Sequence, residues 1–433
     1  MTPLQIGIVG CVMLFVLLAT SMPVAFSMAI VGFVGFAIVV TPQAATAMIT
    51  TDLYETFTSY SLTVIPLFVL MGQIAFHAGI SRRLFDAAYH WLGHLPGGLA
   101  MATVGACTGF GAICGSGPAT AATMASVAIP EMKRYKYNPK LSCGTVAAGG
   151  SLGMLIPPSV VFIVYAILTD QSIGKLFIAG IVPGLLIALL FCLTIYIKCK
   201  LNPALGPAGP AATWKSKFVS LLGVAETLIL FVVVIGGMFM GFFTPTEAAA
   251  IGAAGSLIIA LVRRKLTVKM FVRSLQETVR TSCMVMIIVT GAVILGRFLA
   301  VTRMPFELAT GLASLPLPGW MIMGMIILFY LIAGSFIDAL ALVLLTIPIF
   351  YPVVIELGYN PIWFGVVIVV VTQMGVITPP VGVNVYVVSG IERNVSLQTI
   401  FRGAMPFLLT LIIAAVILII FPVLCTFLPN LFN

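Results

Sequence analysis

Long apolar runs, each about as long as a membrane crossing, alternate with short polar interruptions along the whole chain. They lie at about 4–20, 24–42, 60–79, 142–169, 177–197, 218–241, 246–262, 281–300, 362–390 and 404–427, and a helix needs about 20 residues to cross the hydrocarbon layer. Two further stretches, 97–130 and 319–355, are too long for one crossing, and Gly and Pro punctuate the first. Each is expected to be either two crossings or one re-entrant helical hairpin that enters and leaves on the same side. Between the runs, 81–92 (SRRLFDAAYHWL) reads as an amphipathic helix lying on a membrane surface, and 266–280 as a second one. Residues 198–217, with an Asn-Pro and two Gly-Pro pairs, read as the longest loop. Thr244-Pro245-Thr246-Glu247 is a helix start, with a capping Thr, Pro in the first turn and a Glu reaching back.

Composition removes any soluble alternative. Of 433 residues, 61% are hydrophobic and 8% charged, and the mean hydropathy is +1.21. Soluble chains carry about 45–50% apolar and about 25% charged residues. The first charged side chain is Asp52. The chain therefore reads as an all-α polytopic membrane protein. The opening stretch has no Lys or Arg ahead of it, so it is expected to be retained rather than cleaved as a signal peptide. The eight cysteines form no CxxC or zinc-finger spacing and read as small packing residues.

The net charge of +9 raises the question of a polyanionic partner. Its distribution answers with topology instead. With both long stretches taken as hairpins and the N-terminus outside, 18 of the 21 Lys and Arg fall in cytoplasmic segments, leaving Lys175, Arg297 and Arg303 elsewhere. No nucleic acid is needed to explain the charge. Both termini are predicted to be periplasmic, with the first hairpin opening to the cytoplasm and the second to the outside.

The chain also repeats itself. Tyr137-Asn138-Pro139 recurs as Tyr359-Asn360-Pro361, and Pro157-Pro158 as Pro379-Pro380, both at an offset of 222. Gly153 and Gly375 stand four residues ahead of the Pro-Pro pairs; Gly115-Ser116 matches Gly334-Ser335, and Gly180 and Pro183 match Gly403 and Pro406. The expected organisation is N-terminal spans over 1–59 and a first unit over 60–200 (hairpin 97–130, broken helix 142–169). A connecting loop and spans follow over 201–280, then a second unit over 281–433 (hairpin 319–355, broken helix 362–390). The charge assignment inverts one unit relative to the other. Inverted repeats with discontinuous helices are the design of secondary transporters, with binding near the midplane.

Candidate site residues follow from the breaks. Helix ends exposed at midplane leave free C=O and N–H groups that are tolerable only where they line a protein-enclosed cavity. Free C=O ends and hydroxyls suit Na⁺, and free N–H ends suit a carboxylate. The first hairpin offers Gly115, Ser116, Gly117 and Thr120; the second offers Gly334, Ser335 and Asp338. Asp338 is the only charge in its 37-residue stretch, and an intramembrane carboxylate is a functional candidate by default. The Pro-Pro breaks add Pro157, Pro158 and Ser159, and Thr378, Pro379, Pro380, Gly382 and Asn384. A sodium ion is expected near Ser116, Ser335, Asp338 and Thr378, on backbone carbonyls and hydroxyls. Arg297 has two readings, a snorkelling interface residue or a contact to a substrate carboxylate. Glu226 either reaches the interface or bonds to a neighbouring subunit. Asp86, His90 and His94 share a helix face, and an interfacial position accounts for them without a metal. No spaced metal motif or nucleophile–base pair suggests an enzyme, and two hairpins from opposite sides suggest two gates rather than a channel.

The combination of GSGPATAA, the downstream IPPS, FTPTEAAA between the units, then GSFIDALA and TPPVGVNVYV resembles the large membrane subunit of TRAP transporters (tripartite ATP-independent periplasmic, DctM-like) over nearly the whole chain. The resemblance implies an elevator-type transporter with scaffold and transport domains, driven by a sodium gradient, without other cofactors. It also implies a small four-span membrane subunit (Q type) and a periplasmic substrate-binding protein (P type) that delivers an organic acid. Sialic acid, a C4-dicarboxylate or a similar carboxylate fits, and the location implied is the bacterial inner membrane. The alternative is an autonomous sodium/anion symporter of related fold that needs no binding protein. Scaffold contacts with the small subunit are expected along 4–42 and 218–262.

Overall fold

The computed structural model describes residues 2–20, 22–313 and 317–431. Met1, Ser21, 314–316 and 432–433, which fall within the expected segments 1–59 and 281–433, lie outside the described residues. Every regular element among the described residues is a helix. Six helices are long and apolar enough to cross a membrane, or seven if Trp214–Leu222 and Ala225–Phe239, bent by 52°, form one span.

Both long stretches fold as pairs of helices. Gly98–Cys114 and Gly117–Arg134 are joined by a two-residue tip, and Gly319–Gly334 and Ala339–Glu356 by a four-residue one. At the first tip Gly115 turns the chain with φ 65°, a conformation open to Gly at no steric cost. Both broken spans break where the prolines stand. Pro139–Ser151 gives way to Val160–Thr169, and Pro361–Gly375 to Val383–Ile391, with cis Pro157-Pro158 and Pro379-Pro380 between the halves. The recurring Tyr-Asn-Pro turns are helix starts. Asn138 Oδ1 accepts from the Lys140 N–H at 2.9 Å, and Asn360 Oδ1 from the Ile362 N–H at 2.9 Å. Pro follows at the first helical position, where no N–H is missed.

The halves interlock crosswise. Val160–Thr169 of the first unit packs on Ala339–Glu356, the second arm of the other unit's hairpin. Its counterpart Val383–Ile391 packs on Gly117–Arg134. Tyr165 donates to the Pro361 carbonyl at 2.6 Å, and Asn384 Nδ2–H to the Ala147 carbonyl at 3.0 Å, so each unit bonds to the other's broken span. The correspondence also reaches beyond the motifs. Val24–Val39 packs along Val268–Val301, and Pro245–Val262 along Val64–His77. Segments 1–59 and 201–280 therefore each supply a helix to the same exchanged arrangement.

Three expectations change. Residues 266–280 do not form a separate surface helix; Val268–Val301 is one continuous helix of 34 residues. Nothing in 266–280 breaks it, whereas the matching region of the first unit is interrupted at Ser59 and a short 3₁₀ turn. Helices also form at Pro42–Thr58 and Met304–Ala313, where polar spacing hid them. The surface helix Ile80–Leu92 does form. Its Ile80, Leu84 and Phe85 are buried, while Arg82 and Asp86 are exposed.

Candidate functional site

Each hairpin tip is held by the break of its own unit. The Val160 N–H points at the Gly115 carbonyl (3.5 Å), and the Val381 N–H donates to the Ser335 carbonyl at 3.2 Å. The glycines ahead of the prolines make this approach possible. A Cβ on Gly153 would lie 2.9 Å from the Ser116 oxygen, and one on Gly375 would lie 2.3 Å from the Gly334 backbone. The same close seat is built twice.

Most hydroxyls at these breaks serve the backbone beside them. Thr120 donates to the Ser116 carbonyl at 2.8 Å, Ser335 to Ile332 at 2.7 Å and Thr378 to Met374 at 2.6 Å. Ser159 donates to the Met154 carbonyl and accepts from the Phe162 N–H at 3.4 Å. Gly382 takes φ 57° to start Val383–Ile391. The first break is buried, including Pro157, Pro158 and Ser159, whereas Pro379 and Pro380 are exposed.

The two tips meet at one cavity of about 310 Å³. Gly115, Ser116 and Gly117 line it from the first hairpin and Asp338 from the second. Met154 and Val160 border it from the first break, and Val69, Gln73, Thr281 and Met284 close it from the long spans. Asp338 is exposed to this space. Its Oδ2 accepts from the Leu340 N–H at 3.1 Å, so it also caps the second arm. No Lys, Arg or His lies among the lining residues. Thr120, Pro157, Pro158, Ser159, Gly334, Ser335 and the second-break residues are not among the residues that line it.

Comparison with known proteins places this arrangement. Residues 11–424 match the family described as "Tripartite ATP-independent periplasmic transporter, DctM component". The chain belongs to the DctM family. It is 39% identical to a C4-dicarboxylate TRAP transporter large permease protein of Pseudomonas aeruginosa over 379 residues, covering 87% of this chain and 88% of that one. It is 34% identical to a sialic acid TRAP transporter large permease protein of Vibrio cholerae over 418 residues, 96% of each chain. Among solved structures, the YdaH transporter of Alcanivorax borkumensis has the same fold, with TM-score 0.60, 16% identity and coverage of 88% and 89%.

In this DctM-family chain Arg297 stands apart from the cavity. Its guanidinium donates to Asp52 Oδ1 at 3.3 Å and lies 3.9 Å from Glu55. It pairs with a carboxylate that is 2% exposed and is not among the residues lining the cavity, a position that favours the structural reading over a substrate contact. Glu226 bonds within the chain, to Arg83 at 3.3 Å and Arg263 at 2.5 Å, tying the surface helix Ile80–Leu92 to two spans. Sequence reasoning missed Gln73 and Thr281 in the cavity wall. It also missed Thr145 and Gln373, which are buried with polar atoms that have no hydrogen-bond partner, as is the Asn384 Oδ1. A signal existed for Gln373, an amide inside an otherwise apolar helix. Buried polar groups are normally satisfied, so these are the exceptions in the interior.

Proposed function

We propose that this chain is the large membrane subunit of a Na⁺-coupled importer of an organic acid in the bacterial inner membrane. It would work with a small four-span membrane subunit and a periplasmic binding protein. The observation that carries the reading is the convergence of both hairpin tips on one cavity whose only ionisable carboxylate is Asp338 and whose wall holds no cationic side chain. A carboxylate substrate placed there needs a positive charge that the protein does not supply. Na⁺ taken by Asp338 and nearby backbone carbonyls would supply it. Gly117, Pro118 and Ala119, at the N-terminal end of Gly117–Arg134, line the cavity, and the positive end of that helix dipole favours an anion beside it. The family relatives named above are permeases for organic anions, which supports the same substrate class. An elevator movement is supported by the crosswise packing of hairpins and broken spans, which joins them into one body able to shift as a unit.

The test is uptake into proteoliposomes that hold the chain and its small subunit, with the binding protein added and a panel of carboxylates supplied. Uptake of at least one acid is expected to require both an inward Na⁺ gradient and the binding protein. Uptake unchanged without the gradient refutes coupling. Uptake that proceeds without the binding protein selects the autonomous sodium/anion symporter.

A further inference from the structure

Three spaces adjoin one another along one face of the helix Val268–Val301. The central cavity shares Gln73, Cys114 and Ala119 with a side chamber of about 170 Å³. Glu277 lines that chamber and also a shallow, open groove along the first turns of the helix, whose lining residues all belong to that helix. Lys269, Arg273 and Arg280 line the groove, and Met284 lines the central cavity. At 100° per residue, positions 269, 273, 277, 280 and 284 form a single stripe. One helix face thus runs from an exposed groove, past a narrow chamber, to the cavity between the hairpin tips.

The charges on this face are arranged for an anion. Arg273 bonds one oxygen of Glu277 at 3.1 Å, and His77 Nε2 meets the other at 3.2 Å, so both oxygens of the acid in the throat are engaged and its charge is partly offset. Lys269 and Arg280 have no carboxylate partner among the described residues. Polar residues at every turn of this segment exclude a position in hydrocarbon. A positive stripe therefore stands at the approach to a cavity that has no cation of its own.

We propose that the groove is the cytoplasmic mouth of the transport site and that Lys269, Arg273 and Arg280 form a peripheral binding site for a small organic anion, with Glu277 as the throat residue. The inference rests on the carboxylate-transport reading above and deepens it. A surface with an excess of one sign of charge raises the local concentration of the opposite ion and does so less at high salt; here three basic side chains stand against the one carboxylate of Glu277. Arg273 and Arg280 add donors that match a carboxylate. An acid leaving the central cavity would be drawn along the stripe rather than stalling beside Asp338.

Thiol labelling tests this without any knowledge of the substrate. The probe is Gln73→Cys, at the junction of chamber and cavity, in the full chain with its native cysteines replaced by Ala and reconstituted in liposomes. Anionic (sulfonatoethyl) and cationic (trimethylammonioethyl) methanethiosulfonates are applied from each side, with each rate divided by that for a free thiol. The anionic reagent is expected to be favoured from the side bearing the groove. Lys269→Gln with Arg280→Gln keeps the Arg273–Glu277 pair intact and should lower the anionic rate about 5-fold and raise the cationic rate. Glu277→Gln should shift the preference further toward the anion. An unchanged ratio in the double variant overturns the proposal, as does labelling only from the opposite side. A preference that vanishes when anionic lipid is omitted also overturns it and assigns the stripe to lipid headgroups. Failure of Na⁺-dependent uptake would instead sink the transport reading, and the labelling does not depend on uptake.

Discussion

Gly375→Ala measures how tightly a hairpin must sit on its broken span. The added Cβ would lie 2.3 Å from both the carbonyl carbon and the oxygen of Gly334, and 2.7 Å from its Cα. These are backbone atoms, so no side chain can swing aside. Ordinary contact begins near 3.4 Å, so the hairpin arm must retreat by about 1 Å. Overpacking of this kind costs about 1–3 kcal/mol. The retreat is transmitted to Ser335 and Asp338, which follow Gly334 directly in the tip, and site groups need to be held within about 0.5 Å. Gly324→Ala, on the same arm, is the control, because nothing lies within 4 Å of its Cβ position. Replacing a helical Gly there should gain up to about 1 kcal/mol. The two variants should therefore differ by about 2–4 kcal/mol. Thermal unfolding in detergent should show a Tm several degrees lower for Gly375→Ala than for Gly324→Ala. Na⁺-dependent uptake should fall about 10-fold in the first and stay unchanged in the second. If Gly375→Ala melts and transports like Gly324→Ala, the close seat is not a constraint and the reasoning fails.

Asp338→Asn keeps the helix cap, since Asn serves as well there, but removes the charge; the protein should fold normally while the Na⁺ concentration for half-maximal uptake rises at least about 10-fold, and wild-type Na⁺ dependence would remove Asp338 from the mechanism. Arg297→Gln should leave substrate and Na⁺ affinities untouched, because the guanidinium serves Asp52; it should cost about 1 kcal/mol in stability, discounted because the arginine is 55% exposed, and a rise in substrate KM would restore the substrate-contact role. Asn384→Ala strips the 3.0 Å bond from a buried Ala147 carbonyl and should cost about 1–3 kcal/mol in thermal unfolding, with Asn384→Asp as the comparison that retains the shape.

Features that depend on near neighbours were legible in the chain. The Thr244–Glu247 capping box forms as read, with the Thr244 N–H donating to Glu247 Oε2 at 2.8 Å. The Pro-Pro pairs break both spans, and Gly115 turns the first tip. The repeated glycines at 153 and 375 showed that something close recurs, although not that a hairpin backbone lies against them. Asp338 drew attention because it is one charge in a long apolar stretch.

Pairings between distant spans were not legible. Arg297 and Asp52 are 245 residues apart, Arg83 and Glu226 143 apart. These spans are apolar nearly all round, so their sequence carries little record of which face meets which neighbour. Hydropathy measures transfer into the bilayer, and that energy hardly changes when a helix rotates about its axis. Lys269, Arg273 and Arg280 share a stripe by helical periodicity alone, but that the stripe leads to a cavity whose wall includes Gln73 and Thr281 depends on how the helix 268–301 sits against its neighbours, with close contacts such as Gly32 on Ile294. The sequence by itself determined where the chain is apolar, where it breaks and where it repeats; tertiary packing decided which few polar groups of those helices share one space.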